Sequence, residues 1–508
     1  MTEPQEPRLV RSIIPYVGHI ISFCLNKHSY WVQLSRAHPE LPILTLWFLN
    51  QKVYLITKPE LLQAAHKLPN ALTFPPIEAS FAIRLCGLSP EATSIMNYNL
   101  NGEEGEVGLS RETVTAMRTA LSPGPEFEEM NQVTFDSLAE SLNYLRRSNL
   151  ESERIDFLEW CRDEVTIAFT DAVYGPQNPF NNKIVRDAFW ELTRNLTPLL
   201  VGILPSFTAR KGVEARATFA EAFEQYYRNE GHKKGSLLAR SRYEVATKNG
   251  VPLKDTAKLE ASGAIAILAS TVPASSLMLF FIYSKPDLLK EIRAELDPIV
   301  RSRPSDDGPT RVFSIKSLKQ HCPLFMSIFH ETLRYCSTGT SVRQVIQDTI
   351  LDGKWLLKKG SIVQIPSHNI HTDPSLWGDD DVYTFEPKRF MNSPEPNTSS
   401  SGAQKRPSTA NVRAFGGGIY QCPGRQYVTN GILALASMFA LRFDMMPVMD
   451  ASELSVNTRM SMVGAIMELD RDFEMDVLPR MGFEEMRLAC SLEDSEVVIG
   501  GVEADLAT

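Results

Sequence analysis

Cysteine is scarce in this 508-residue chain, and none of it is paired. The seven cysteines, at 24, 86, 161, 322, 336, 422 and 490, keep no common spacing and form no C-x-x-C. That excludes a disulfide framework and a zinc ribbon, and the cysteines read as reduced intracellular thiols. Basic runs are missing too. With a net charge of −9, the chain is not built for nucleic acid. No flavin or nicotinamide fingerprint occurs. No internal repeat is present. A clear hydrophobic leader is lacking: the apolar run from Ile13 to Phe23 is interrupted and too short to span a bilayer, and Pro4, Pro7 and Pro15 crowd it. Residues 1–25 therefore read as a proline-containing lead whose anchor is either absent or trimmed. What remains, 43% apolar and 22% charged, fits a globular protein with a large core.

The chain is organised around Phe415-Gly-Gly-Gly-Ile-Tyr-Gln-Cys422-Pro-Gly-Arg425. Three consecutive glycines allow positive φ and let the backbone approach something flat. Pro423 suits the first position of a helix, and Gln426 to Leu441 is a long, mostly apolar helical segment. A sulfur at a helix start meets free N–H groups and the positive end of the dipole, both of which lower a thiol pKa of about 8.5. A thiolate beside a glycine-lined flat surface suits the axial ligand of a haem iron. The plainer alternative is a buried free cysteine after a glycine turn.

The spacing Phe415, Gly418, Cys422, Gly424 resembles the haem-binding loop of the cytochrome P450 family, position by position. That resemblance implies one large domain over 26–480, mainly α with a smaller β-rich lobe, the cytochrome P450 fold. It implies haem b, with Cys422 on the metal and Phe415, Gly418, Gly424 and Arg425 in the cradle. The family usually places Arg or His two residues before the cysteine to meet a haem propionate; here that residue is Tyr420, which offers a hydroxyl but no charge. The family's Trp-x-x-x-Arg is not found near Arg111 to Arg118. Arg343 is the propionate candidate that remains, ahead of His371.

Ala261 to Ser284 carries no charge over 24 residues, so a membrane span and a buried central helix both fit its length. Its serines, Thr271 and Pro273 favour the buried helix. Ser262, Ala266, Ala269, Ser270, Pro273 and Ala274 form one small-residue face, suited to lie across a planar ligand. Pro273 removes the donor for the carbonyl of Ala269 and opens the turn beside Thr271. The Thr271 hydroxyl could hold a water or a dioxygen molecule there, or simply bond its own helix backbone. Ala269-Ser270-Thr271 is similar to the family's oxygen-activating segment, with Ser270 where an acid usually stands. Ser270 and Thr271 are thus the catalytic candidates.

Glu331 and Arg334, three apart on an apolar helix, can pair, and Arg389 is the third member of what resembles the family's structural triad. Strands are predicted at 41–49 and 52–57, a short helix over 59–66, an irregular segment over 74–108 and helices over 109–245. Strands return between Thr338 and Ile370. Lys405, Arg406, Arg413 and Arg425 read as a solvated basic edge or as a docking patch for an acidic electron donor. Residues 481–508 read as a loose acidic tail.

The resemblance implies a monooxygenase fed by NADPH through a separate NADPH–cytochrome P450 reductase. Its substrate would be a lipophilic small molecule such as a terpenoid, sterol or alkaloid. Ala172 to Phe180 is similar to fungal members. Ala269 to Ala274, together with Cys422-Pro-Gly-Arg425, is similar to the branch of sterol 7α-hydroxylases and prostacyclin synthase. Because that branch includes an isomerase, a haem-thiolate isomerase or dehydratase needing no external oxygen stands as the alternative. The expected place is the cytosolic face of the endoplasmic reticulum or the cytoplasm, with peripheral membrane contact and no nucleic-acid partner.

Overall fold

The computed structural model describes residues 3–12, 14, 17–26, 29–102, 105–145, 153–303, 310–377, 382–391, 408–448, 456–457, 464–483 and 487–493. Helices dominate from 109 to 336, and a smaller β-rich lobe is assembled from both ends of the chain. In that lobe Ile43–Phe48 and Gln51–Ile56 form an antiparallel hairpin, turned at Leu49 with φ of 51°. Gln51–Ile56 runs parallel to Ile362–Pro366, which pairs with Thr340–Val345, and Leu72–Thr73 closes the five-stranded sheet. The interior divides the same way. One large apolar cluster fills the helical body, while separate clusters around Tyr54, Val363 and Trp31 lie under the sheet.

Two helices form the axis. Leu253–Leu268 and Thr271–Tyr283 run through the body, and Arg425–Arg442 packs beside the second of them. The 31-residue stretch Leu253–Tyr283 is apolar enough to cross a membrane, yet 78% of its most apolar window is buried in the protein. The helix is a core element.

Three expectations change and one holds. The segment 74–108 is not irregular. It holds helices Pro75–Cys86 and Pro90–Asn97, whose prolines sit at the first helical turn, where no N–H is needed. Gly87, with φ of 61°, stops the first, and the Ser89 hydroxyl caps the second. The opening expected from Pro273 is present: the central helix breaks at Ala269 and Ser270, one turn before the proline, where its missing donor is felt. Helix Arg425–Arg442 starts after Gly424 rather than at Pro423, so Cys422 stands just ahead of it. Finally, the ordered chain does not stop at 480. Arg487–Ser491 runs parallel to Thr310–Ser314, which also pairs with Arg301–Arg303, so this part of the expected acidic tail is docked.

Candidate functional site: the Cys422 loop and its surroundings

The loop is shaped by two left-handed glycines, Gly416 at φ 69° and Gly418 at φ 65°, around an extended Gly417. A side chain on Gly417 would lie 2.7 Å from the His66 ring, so the bare glycine lets that ring pack directly on the loop. The amide of Cys422 donates to the carbonyl of Phe415 at 3.0 Å, closing the loop on itself. Cys422 is partly covered. Burial raises its thiol pKa, while the backbone N–H groups of Gly424 and Arg425 and the charge of Arg425 pull it down. The helix start therefore does meet the sulfur, but burial outweighs it, contrary to the lowering expected from the dipole alone. A thiolate here calls for a cation, and a coordinated metal is the strongest one available. Gly424 keeps an ordinary φ of −80°, and a side chain on it would meet Sγ at 3.9 Å.

Behind the loop stands the triad. Arg334 grips both Glu331 carboxylate oxygens, at 2.7 and 2.8 Å, and Arg389 Nε donates to Glu331 at 3.1 Å. All three are buried. Arg334 also donates to the carbonyls of His371 and Val382, both at 2.9 Å, and of Thr384 at 3.1 Å. The His371 ring then accepts the N–H of Arg413 at 2.7 Å, two residues before Phe415. A continuous chain of bonds thus runs from the triad to the loop. Burial keeps His371 neutral, far below the usual imidazole range. His371 fastens the loop to the triad.

The other predicted residues fall around this loop. Arg343 is buried, lies 4.6 Å from the centre of the Tyr420 ring and donates to the carbonyl of Val342 at 2.7 Å. Its pKa is pushed down to about 10, mainly by burial. Tyr420 turns its hydroxyl toward Thr73 and the Pro69 carbonyl, both at 3.4 Å. Arg118, on helix Leu109–Ala120, donates to the carbonyl of Ile419, so a cation does come from that helix although no tryptophan precedes it by a turn. Arg425 donates to the Cys422 carbonyl at 3.4 Å. Lys405 and Arg406 lie outside the described residues, and Arg413 is half-buried beside Gly417 rather than on a docking edge.

On the central helix, Ser262, Ala266, Ala269 and Ser270 remain accessible while Ile265, Ile267 and Leu268 beside them are buried. Pro273 and Ala274, expected on the same face, are buried. Thr271 is buried and its hydroxyl donates to the carbonyl of Ile267, the plainer of its two expected roles. The preceding helix, Leu253–Leu268, is tied to its neighbours by a buried network. There Glu260 accepts from Tyr174 at 3.0 Å and Tyr227 at 2.6 Å and pairs with Arg242 at 3.1 Å.

Sequence reasoning missed His66 and Glu78. His66 ends helix Glu60–His66 and packs on the glycines of the loop; a lone histidine 350 residues away gives no local signal. Glu78, on helix Pro75–Cys86, accepts from Ser110 at 3.3 Å. Burial raises its pKa to about 7, with Ser110 and Arg118 acting against it.

Comparison with known proteins agrees with this geometry. The family model described as Cytochrome P450 matches residues 181–466. The chain is 32% identical over 450 residues to the cytochrome P450 monooxygenase nodJ of Hypoxylon pulicicidum, covering 88% of this chain and 84% of that one. It is 23% identical to mouse cytochrome P450 7B1, covering 89% and 87%. Its fold is similar to that of a retinoic-acid-bound cyanobacterial CYP120A1, with a TM-score of 0.68 at 16% identity, covering 94% of this chain and all of the other.

Proposed function

The chain belongs to the cytochrome P450 family of haem-thiolate monooxygenases, and on that footing we propose that it oxygenates a lipophilic fungal secondary metabolite of the terpenoid, sterol or alkaloid kind, with Cys422 as the residue that would hold the haem iron. The observation that carries the assignment is the Cys422 sulfur itself, met by the amides of Gly424 and Arg425 in a loop that only glycines can shape. The residues present fit a haem. A thiol faces the loop, Arg343 lacks an acidic partner among the described residues, and the central helix keeps an uncovered small-residue stripe. When bound, the haem supplies the thiolate-pushed oxidising chemistry that cleaves the O–O bond.

The protein's own residues supply the rest. The triad and His371 fix the loop, so the sulfur stays where the helix amides can meet it. The stripe Ser262, Ala266, Ala269, Ser270 presents little bulk and two hydroxyls, leaving room for a flat ligand and an apolar substrate. Thr271 and Ser270 stand at the opened turn; the Thr271 hydroxyl donates to the Ile267 carbonyl and would have to leave it to pass a proton, with the Ser270 hydroxyl beside it in place of an acid. In the overall balance one oxygen atom of O2 enters the product. The other leaves as water with a pair of protons, and NADPH provides the electrons through a separate reductase.

The residues Val201, Ile203, Leu204 and Phe207 are exposed at 54–86%. Such a patch supports peripheral contact with a membrane, where a lipophilic substrate would be found, and hence a place at the cytosolic face of the endoplasmic reticulum.

Ser270 favours a second reading, an isomerase or dehydratase, because such chemistry needs no proton delivered to oxygen. Turnover under isotopically labelled oxygen with NADPH and reductase separates the two. A labelled atom in the product supports the monooxygenase, whereas product formed without oxygen, NADPH or reductase sinks it.

A further inference from the structure

Position 420 should carry the positive charge that meets a haem propionate, yet Tyr420 directs its hydroxyl to Thr73 and Pro69 instead. The charge has not vanished from the neighbourhood. Arg413, half-buried, leaves its Nε without any hydrogen-bond partner, and the His66 ring makes no hydrogen bond to a described residue. Both line one small cleft with Ser341, Ser367 and the backbone of Gly416 and Gly417. Arg343 stands close enough that it and Arg413 both disfavour a proton on His66. Among the described residues none of these three groups pairs with a carboxylate. Placing the Arg413 and Arg343 guanidinium groups in partly buried ground without an acid is unfavourable unless an anion joins them, and burial together with both charges keeps the His66 ring neutral, able to donate one N–H. The bare Gly417 is what lets the His66 ring lie against the loop, 2.7 Å from where a side chain on Gly417 would begin.

Resting on the haem assignment above, we propose that His66 and Arg413, together with Arg343, bind the propionate carboxylates of the haem. The charge usually held at position 420 has moved nine residues ahead of the cysteine and onto the end of helix Glu60–His66. The Arg413 Nε and the His66 ring donate, and the carboxylates accept.

The test is the rate at which the ferric holoprotein surrenders haem to an excess of apomyoglobin, for wild type, Arg413→Gln, Arg413→Lys, His66→Gln and the double glutamine variant. One charged hydrogen bond lost corresponds to about tenfold faster release. Arg413→Gln should reach that, the double variant should exceed it, and Arg413→Lys should stay near wild type. The same proteins are then reconstituted with haem dimethyl ester, whose carboxylates cannot ionise. The ester should leave wild type as fast as haem leaves the variants, and the variants should release it no faster. Equal penalties on haem and its ester, or release unchanged in every variant, would overturn the proposal. If Arg413→Gln does not fold, His66→Gln carries the same comparison. A wild type that binds no haem, or binds it without thiolate ligation, defeats the proposed function. A normal wild type with indifferent variants defeats this inference alone.

Discussion

The two sides of the Cys422 loop are built on opposite terms. Behind it, Glu331, Arg334, Arg389, His371 and Arg413 form a chain of charged and polar bonds, each within about hydrogen-bond length and nearly all buried. In front, on the proposed reading, the central helix offers Ser262, Ala266, Ala269 and Ser270, small residues that its neighbours leave accessible. The back is over-determined by directional bonds. The front is defined by what its side chains leave out. Ligand geometry needs the first, and accommodation of an apolar substrate needs the second.

The sharpest way to break this comparison is at its centre. Cys422→Ser should abolish thiolate ligation and turnover together, read from the ferrous carbon monoxide spectrum and product formation. A variant that keeps the thiolate spectrum contradicts the assignment. Next comes the back wall. Glu331→Gln leaves two buried guanidinium groups without their acid, and should cost about 3–5 kcal/mol in urea unfolding together with most of the bound haem.

The front should yield to size, not charge. A methyl group on Gly263 would lie 1.7 Å from the Arg242 guanidinium. Gly263→Ala should therefore cost about 1–3 kcal/mol, seen as a lower urea midpoint, with the thiolate spectrum unchanged in protein that still folds. Glu78 adds a pH arm. Its pKa is raised from 4.5 to about 7, so the native state prefers the protonated form, and the penalty grows as pH rises through that interval. Glu78→Gln should match wild type at the acid end and be more stable by about 1–2 kcal/mol near pH 8, allowing for partial solvent access. Equal stability at both ends would remove Glu78 from the account. Smallest in stability is Ala266→Phe. It should change unfolding by under about 1 kcal/mol, since Ala266 is exposed on its helix, while shifting which substrates perturb the haem spectrum.

What the sequence made legible follows the same division. The Cys422 loop and the Glu331–Arg334–Arg389 set could be read because their residues resemble family motifs, and the structure joins the three charged residues by hydrogen bonds. The hairpin at 43–56 and the short helix ending at His66 could be read from alternation and a leading proline. The helices at 75–86 and 90–97 were hidden by the prolines that start them, which look like loop residues until the first-turn role is recognised. His66 was hidden by distance along the chain, and the docking of Arg487–Ser491 was hidden by the acidic residues around it. The thiol's direction of shift could not be read at all, because the dipole is local and burial is not.

The most direct measurement is the dithionite-reduced, carbon monoxide-bound difference spectrum of the purified wild-type protein. Ligation by Cys422 predicts a strongly red-shifted Soret band. A band at the unshifted position, in protein that is folded and loaded with haem, would contradict the central claim.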